Sequence, residues 1–231
     1  KICFETTLGQ KKIIEKLSEY LAGDDFSRIF VLNGYAGTGK TTLIAALVGA
    51  LKDLNIKPIL LAPTGRAAKV LAQYAQEKAF TIHKRIYRQR TNADYESKYS
   101  LNFNAEKGAV FIVDEASMLS DSPGGGALFG SGSLLEDLVQ YVRSGRDCRL
   151  VLVGDSAQLP PVGADRSPAL DAASLARFGD VEYATMDELI AFLTSNCCQG
   201  EACLPRAATC DTTERRRRLA TETSTSDKEP S

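Results

Sequence analysis

The segment 34–41, with the sequence GYAGTGKT, carries residue types that bind phosphate. Two glycines five positions apart are followed by Lys and Thr, which is the pattern of a phosphate-binding loop. In such a loop, backbone N–H groups point at one anion, the lysine reaches the β and γ phosphates, and the hydroxyl holds Mg²⁺. The alternative is a chance glycine turn before a helix. The pattern predicts a nucleotide site formed by Gly34, Gly37, Thr38, Gly39, Lys40, Thr41 and Thr42.

A second candidate for chemistry is the pair of carboxylates that ends the apolar segment 110–113. Beside a phosphate-binding loop, Asp114 would hold Mg²⁺ through water, and Glu115 would accept a proton from the attacking water. Taken alone, the same residues also fit a strand followed by the acidic start of a helix. The phosphate-binding loop makes the first interpretation the favoured one.

A neutral polar side chain, Gln158, follows the next apolar segment, within the sequence GDSAQLPP at 154–161. Glutamine orients water or contacts the γ-phosphate in other nucleotide hydrolases, so Gln158 is a candidate for that role. Two prolines stiffen the end of this segment. An ordinary loop is the alternative for these residues considered by themselves.

A second anion site is predicted at 62–68, with the sequence APTGRAA, where an apolar segment ends and a helix begins. A threonine hydroxyl, a glycine and the N–H groups of a helix N-terminus could hold a nucleic-acid phosphate there. The candidate residues are Pro63, Thr64, Gly65 and Arg66. His83 is the single histidine of the chain, and a lone histidine is usually structural or exposed.

These candidates are predicted to be positioned by alternating strands and helices. Short apolar segments at 29–32, 58–62, 109–113 and 149–153 have the pattern of buried strands. Helical periodicity appears at 10–21, 41–54, 66–77 and 133–143. Strands that alternate with helices predict an α/β fold with a mainly parallel sheet covered on both faces. Ligands then bind at the carboxyl ends of the strands.

Composition excludes some classes of protein. The 231 residues include 44% hydrophobic and 25% charged residues, and the net charge is −1, so a nucleic-acid site must be a local patch. No apolar segment is long enough to span a bilayer, so no membrane partner is expected. The spacing of the six cysteines matches no paired zinc pattern, and we expect a reducing, cytoplasmic location.

Two segments interrupt the alternation. Segment 84–107 is polar, with basic and aromatic residues interleaved, and is predicted to be a small insertion or hairpin. Beyond about residue 190 the periodicity is lost, and four cysteines, a run of four arginines at 215–218 and a Ser/Thr-rich end follow. We predict a disordered tail over 191–231 and expect the arginines to be solvated rather than a nucleic-acid patch.

The motifs, taken in their order, resemble the RecD-like and Dda-like branch of superfamily 1 DNA helicases, which includes the exonuclease V alpha subunit. The resemblance covers residues 10–163 and continues more weakly to about 190. It is carried by Gln10, GYAGTGKTT at 34–42, APTGRAAKVL at 62–71, TIHKRIY at 81–87, FIVDEASML at 111–119 and LVGDSAQLPPVG at 152–163.

The resemblance implies a RecA-like P-loop NTPase lobe over 1–190 that uses ATP and Mg²⁺ and acts on single-stranded DNA. It implies that Gln10 recognises adenine and that Gln158 senses the γ-phosphate. Lys40 and Glu115 would serve hydrolysis, and Thr41 and Asp114 would hold Mg²⁺. DNA contacts are implied for Pro63, Thr64, Gly65, Arg66 and His83, and segment 84–107 falls where the family has a small insertion that helps to split the duplex.

One difference from the family concerns its phosphate-contacting arginine. The family has an arginine–glutamine pair after the segment that resembles 185–190, whereas Ala191 and Phe192 stand here. We therefore expect a single motor lobe that binds ATP, turns it over slowly, and needs a second lobe or a helicase partner in trans to unwind DNA. The alternatives are a nucleotide-binding module without motor activity, an inactive truncated product, and a phosphotransferase.

Overall fold

The computed structural model describes residues 8–91, 97–121, 129–158, 160–161 and 164–186. Strands and helices alternate through most of them. The helices are α1 (Leu8–Ala22), α2 (Lys40–Asp53), α3 (Gly65–Ala75), α4 (Ile82–Ile86), α5 (Leu134–Ser144) and α6 (Ala172–Leu175). The strands are β1 (Ile29–Gly34), β2 (Pro58–Ala62), β3 (Ala79–Thr81), β4 (Tyr87–Thr91), β5 (Ser97–Leu101), β6 (Val110–Val113), β7 (Arg149–Gly154) and β8 (Val181–Met186).

Six strands form one sheet in the order β3-β2-β6-β7-β1-β8, and every neighbouring pair is parallel. The predicted α/β fold with a mainly parallel sheet is therefore confirmed. The sequence patterns missed the two edge strands, β3 and β8. The first has only three residues, and the second mixes polar with apolar residues because an edge strand is half exposed.

The core lies on both faces of the sheet because successive side chains of a strand point to opposite faces. Ile29 and Val31 of β1 pack on the face that carries α4 and α5, whereas Phe30 and Leu32 pack on the face of α1, α2 and α3. A fully buried side chain of this kind contributes about 1.5–3 kcal/mol. The described helices thus cover both faces of the sheet, and ligands of such open sheets bind at the carboxyl ends of the strands.

The predicted insertion contains an antiparallel hairpin formed by β4 and β5. A group of aromatic rings connects the hairpin to the rest of the domain. The ring of Tyr99 in β5 stacks on Phe129 at 4.5 Å between centroids, and Tyr87 in β4 lies 5.3 Å from the same ring. The Tyr87 hydroxyl also donates a 2.6 Å hydrogen bond to Oδ2 of buried Asp137 in α5.

We expect Tyr87→Phe to destabilise the domain. The substitution removes the hydroxyl donor from the Asp137 carboxylate, which is 2% exposed and also accepts the Ser131 N–H. Leaving a buried acceptor short of a partner costs about 1–3 kcal/mol, and each kcal/mol lowers the melting temperature by roughly 2–4 °C at this chain length. Thermal unfolding measures the change. Tyr74→Phe, at a tyrosine 64% exposed, is the matched control; equal melting temperatures for both variants would contradict the prediction.

The chain divides into two compact units, Lys1–Ala191 and Phe192–Ser231. The second unit lies wholly outside the described residues, as do the four clustered cysteines, the arginine run and the predicted tail. Cys148, in contrast, is a buried free thiol. None of the helices in the described part of the chain is long and apolar enough to cross a membrane.

Candidate nucleotide and DNA site

The candidate residues follow strands whose carboxyl ends lie level at one edge of the sheet. Asn33 of β1 is paired with Gly154 of β7, and Val113 of β6 is paired with Leu152 of β7. On the other side, Leu61 of β2 is paired with Val113. The phosphate-binding loop, the segment with Gln158, the Asp114–Glu115 pair and the start of α3 therefore share one edge.

The loop at 34–39 has the conformation that its glycines allow. Gly37 and Gly39 have φ angles of 80° and 90°, in the left-handed region where a side chain is strained. The Thr38 hydroxyl donates a 2.8 Å hydrogen bond to the Tyr35 carbonyl and is fully buried, so Thr38 braces the loop from inside. Thr41 is half-buried and Thr42 is exposed in the first turn of α2.

Gly34 leaves no room for a side chain. A Cβ added there would lie 2.9 Å from the Cβ of Met186 and 2.9 Å from the Thr38 hydroxyl oxygen. Met186 is the last residue of β8, the strand that pairs with β1. The first glycine of the motif therefore serves the close approach of β8 and Thr38, in addition to any contact with phosphate.

The Lys40 ammonium lies among oxygen atoms of its own loop. It donates hydrogen bonds of 2.6 Å and 2.8 Å to the carbonyls of Gly34 and Tyr35, and it lies 4.0 Å from Oδ2 of Asp155. Burial lowers the pKa of Lys40, whereas the charges of Asp155 and Asp114 oppose that change. This environment keeps a cation at the mouth of the loop, where an anion would bind.

The two carboxylates that follow β6 are held differently. The Asp114 N–H donates to the Leu61 carbonyl of β2 at 3.0 Å, and Oδ1 of Asp114 accepts the Glu115 N–H at 3.0 Å. Burial raises the pKa of both groups, and the charge of Asp114 raises that of Glu115 further. Glu115 has a φ of 54°, a conformation that costs a non-glycine residue about 1–3 kcal/mol. Strain of this size is typical of residues that are held for function.

We expect Asp114→Asn to raise the melting temperature at neutral pH in the presence of EDTA. A folded-state pKa above the unfolded value means that folding favours the protonated carboxyl, so this contribution to stability is lost as the pH rises through the folded pKa. Asparagine removes the charge and therefore its desolvation cost. A gain of about 1 kcal/mol would appear as roughly 2–4 °C.

The control for this prediction is Asp24→Asn, at an exposed carboxylate. The difference between Asp114→Asn and the unchanged protein is expected to shrink as the pH is lowered toward the unfolded pKa of an aspartate. A lower melting temperature for Asp114→Asn at neutral pH would show that the Asp114 carboxylate stabilises the fold rather than being tolerated for its chemistry.

Gln158 lies on a turn that follows β7. The Gln158 N–H donates to the Asp155 carbonyl at 3.2 Å, and Oδ1 of Asp155 accepts the Ala157 N–H at 2.9 Å. The Gln158 side chain accepts a 3.4 Å hydrogen bond from the Ser117 hydroxyl, which lies just after the Asp114–Glu115 pair. The glutamine thus stands between the strand of the phosphate-binding loop and the segment of the two carboxylates.

The residues predicted to contact DNA lie where β2 and β3 end. The Thr64 hydroxyl caps α3 by accepting the Ala67 N–H at 3.2 Å, and Gly65 and Arg66 are exposed in the first turn. Pro63 is half-buried. A Cβ added to Gly65 would meet no atom within 4 Å, so the space above this helix N-terminus is open.

His83 lies on α4 beside the hairpin. Its ring is 5.7 Å from that of Tyr87 and 5.3 Å from that of Phe129, although part of the residue is exposed. Partial burial lowers the pKa of His83, so the neutral imidazole is favoured. His83 therefore belongs to the aromatic group that holds the hairpin, at the same edge as the start of α3.

Gln10 lies in α1, before the first strand of the sheet. It is buried in α1, which packs against β8, the neighbour of the loop strand. Asp155, Asn33 and Ser117 also lie at the nucleotide edge, although their sequence context predicted no role for them. The position of Asp155 in the sequence could have identified it as a candidate, because it directly follows an apolar strand, β7, as Asp114 directly follows β6. No group of three or more His, Cys, Asp or Glu side chains in the described ranges is arranged to hold a metal.

A family model described as AAA domain matches residues 7–182 of the chain. The chain belongs to this family. The AAA domain match spans every described strand and the whole phosphate-binding edge apart from the last residues of β8. The resemblance to RecD-like and Dda-like helicases predicted from the motifs is confirmed by the curated proteins that the chain is similar to.

The chain is 34% identical over 139 residues to the ATP-dependent RecD2 DNA helicase of Deinococcus radiodurans, which covers 59% of this chain and 17% of the relative. It is 32% identical over 162 residues to the RecBCD enzyme subunit RecD of Mycobacterium tuberculosis, covering 59% of this chain and 25% of that subunit. It is 32% identical over 136 residues to the ATP-dependent DNA helicase dda of phage T4, covering 57% of this chain and 28% of that helicase.

A solved structure agrees with the fold. The Pif1 helicase of Candida albicans superposes with a TM-score of 0.51 over 80% of this chain and 40% of that one, at 18% sequence identity. The chain matches about a sixth to just over a quarter of the lengths of the curated helicases named above. These comparisons place the chain in the AAA domain family, with RecD-like and Dda helicases among the proteins it resembles.

Proposed function

We propose that this chain is the ATP-binding motor lobe of an ATP-dependent DNA helicase and that it works on single-stranded and duplex DNA. The observation that carries the proposal is the position of Lys40, within 4.0 Å of Asp155 and at the sheet edge that also carries Asp114, Glu115 and Gln158. A cation, carboxylates and a neutral amide at one edge supply the groups that hydrolysis of a nucleoside triphosphate needs.

The residues at this edge suit ATP and Mg²⁺. Thr41 and Asp114 offer the hydroxyl and carboxylate oxygens that Mg²⁺ prefers, and bound Mg²⁺ would neutralise charge on the β and γ phosphates. The loop N–H groups and Lys40 would bind the phosphates, and Gln10 would recognise adenine. Glu115 would accept the proton of the attacking water, and Gln158 would contact the γ-phosphate.

The neighbouring strand ends suit a DNA backbone. The first turn of α3 presents free space above Gly65, the exposed Arg66 side chain and the N-terminal end of an 11-residue helix, all of which favour an anion. Together with Pro63, Thr64 and His83, these residues would contact a single strand that crosses β2 and β3 beside the nucleotide. The contacts would be to phosphates, which position a protein on DNA without reading its sequence.

Translocation requires a second body. The described residues form one main sheet with one phosphate-binding loop, and a motor of this kind works by relative motion of two lobes that close on the nucleotide. We infer that a second lobe, or a helicase partner in trans, supplies the arginine that contacts the γ-phosphate. Such arginines contribute about 10³–10⁵ in rate, so the chain tested alone is expected to hydrolyse ATP slowly and not to unwind DNA.

The test is steady-state ATP hydrolysis with and without single-stranded DNA, with Lys40→Ala as the blank. Hydrolysis stimulated by DNA supports a helicase lobe. Binding of Mg·ATP that DNA leaves unchanged, without turnover, would instead favour a nucleotide-binding module without motor activity. Transfer of phosphate to an acceptor other than water would indicate a phosphotransferase, and a failure to bind Mg·ATP would overturn the proposal.

A further inference from the structure

The end of β1 is connected to the turn that carries Gln158 by a pair of hydrogen bonds outside the strand ladder. The Asn33 side-chain amide donates to the Ser156 hydroxyl at 2.9 Å, and the Ser156 N–H donates to the Asn33 side-chain oxygen at 3.0 Å. Asn33 immediately precedes the phosphate-binding loop. Ser156 lies two residues before Gln158.

The chemistry of the two groups fixes the orientation of the amide. A backbone N–H is a donor only, so the amide oxygen must face the Ser156 N–H and the amide nitrogen must face the hydroxyl. The main chains of β1 and β7 stop pairing at Asn33 and Gly154. The Asn33 side chain therefore extends the connection between the two strands by two residues, to Ser156.

Hydrogen bonds within the turn at 155–158 connect Ser156 to Gln158. The Asp155 side chain accepts the Ala157 N–H, and the Asp155 carbonyl accepts the Gln158 N–H, so Ser156 lies inside a closed turn. On the far side, the Ser117 hydroxyl donates to the Gln158 side chain. The Gln158 turn is thus held from the loop strand by Asn33 and from the carboxylate segment by Ser117.

We propose that Asn33 is a positioning residue that fixes Gln158 relative to the phosphate-binding loop and so lets the site distinguish a triphosphate from a diphosphate. The inference rests on the proposed function of the same edge. Asn33 acts through Ser156 and touches no phosphate itself. Its main chain keeps the β1 ladder, and its side chain is only half-buried, so removing the amide leaves the core in place.

The experiment measures the affinities of the whole chain for Mg·ADP and for Mg·AMP-PNP, a triphosphate analogue that is not hydrolysed, by calorimetry. For Asn33→Ala we expect the ratio of AMP-PNP affinity to ADP affinity to fall by roughly threefold to tenfold, the worth of one or two hydrogen bonds. The ADP affinity is expected to stay unchanged. Ser156→Ala, which keeps the N–H bond, is expected to show a smaller fall, and Gln140→Ala, an exposed amide on α5, is expected to show none.

A second readout needs no nucleotide. Hydrogen exchange of the backbone amides at 155–158 is expected to be faster in Asn33→Ala than in the unchanged chain, while the amides of β1 and β7 keep their protection. Asn33→Ala already removes both hydrogen bonds between Asn33 and Ser156. The double variant Asn33→Ala/Ser156→Ala is therefore expected to show the same fall in the ratio of AMP-PNP affinity to ADP affinity as Asn33→Ala alone.

The outcomes separate this inference from the proposed function. If the unchanged chain prefers AMP-PNP and Asn33→Ala keeps that preference, the positioning role is wrong and the nucleotide site stands. An equal loss of ADP and AMP-PNP affinity would show that Asn33 shapes the whole loop, which also overturns the role. If the unchanged chain binds both nucleotides equally, Gln158 does not read the γ-phosphate and the inference fails; if it binds neither, the proposed function fails and the inference with it.

Discussion

Lys40→Ala is expected to abolish measurable Mg·ATP binding, or to weaken it by about 10²-fold or more. The ammonium is the positive group at the mouth of the loop, and truncating one partner of a desolvated charge pair costs about 2–5 kcal/mol or more. Alanine also leaves the buried Asp155 carboxylate beside the phosphates without the Lys40 cation. The loss of the ammonium and the uncompensated Asp155 charge both weaken the binding of an anionic triphosphate. Calorimetric titration with Mg·ATP measures the loss.

Lys107→Ala is the control for Lys40→Ala. Lys107 is an exposed lysine just before the amino end of β6, on the opposite side of the sheet from the nucleotide edge, and its removal changes the net charge by the same amount. Normal Mg·ATP binding by Lys107→Ala with none by Lys40→Ala would exclude a general effect of charge. If Lys40→Ala binds Mg·ATP with the affinity of the unchanged chain, the loop at 34–41 is not the nucleotide site.

Glu115→Gln is expected to keep Mg·ATP binding and to lower hydrolysis by about 10²–10⁴-fold, the usual contribution of a general base. Glutamine has nearly the shape of glutamate but cannot accept the proton. The substitution also removes a negative charge beside Asp114, so binding of the anionic nucleotide is expected to stay equal or to become slightly tighter. Because the chain alone is expected to turn over slowly, hydrolysis is measured with protein in excess over ATP.

Two outcomes decide the role of Glu115. Hydrolysis by Glu115→Gln at the rate of the unchanged chain would exclude Glu115 as the base. Loss of Mg·ATP binding in the same variant would show that Glu115 contributes to binding or to the loop conformation instead. The comparison variant is Glu136→Gln, at an exposed glutamate of α5, which is expected to change neither quantity.

The amino-acid sequence by itself determined the phosphate-binding loop, the strand before it and the helix after it. That motif is local: Gly37 and Gly39 permit the left-handed backbone that aims the loop, whatever packs around it. The apolar segments that form β1, β2, β6 and β7 also predicted a buried parallel sheet, because strands covered on both faces have few polar residues. From the parallel sheet it followed that Asp114, Gln158 and the loop would share one edge.

The tertiary structure alone decided which single polar residues meet, both at that edge and between the hairpin and α5. Asn33 and Ser156 are separated by 123 positions, and Tyr87 and Asp137 by 50, and no periodicity marks such pairs. The short strand β3 and the half-exposed strand β8 likewise exist because a neighbouring strand is present to pair with them. Periodic apolar patterns reveal elements because burial repeats along the chain, whereas a hydrogen bond between two distant side chains depends on how the elements are packed.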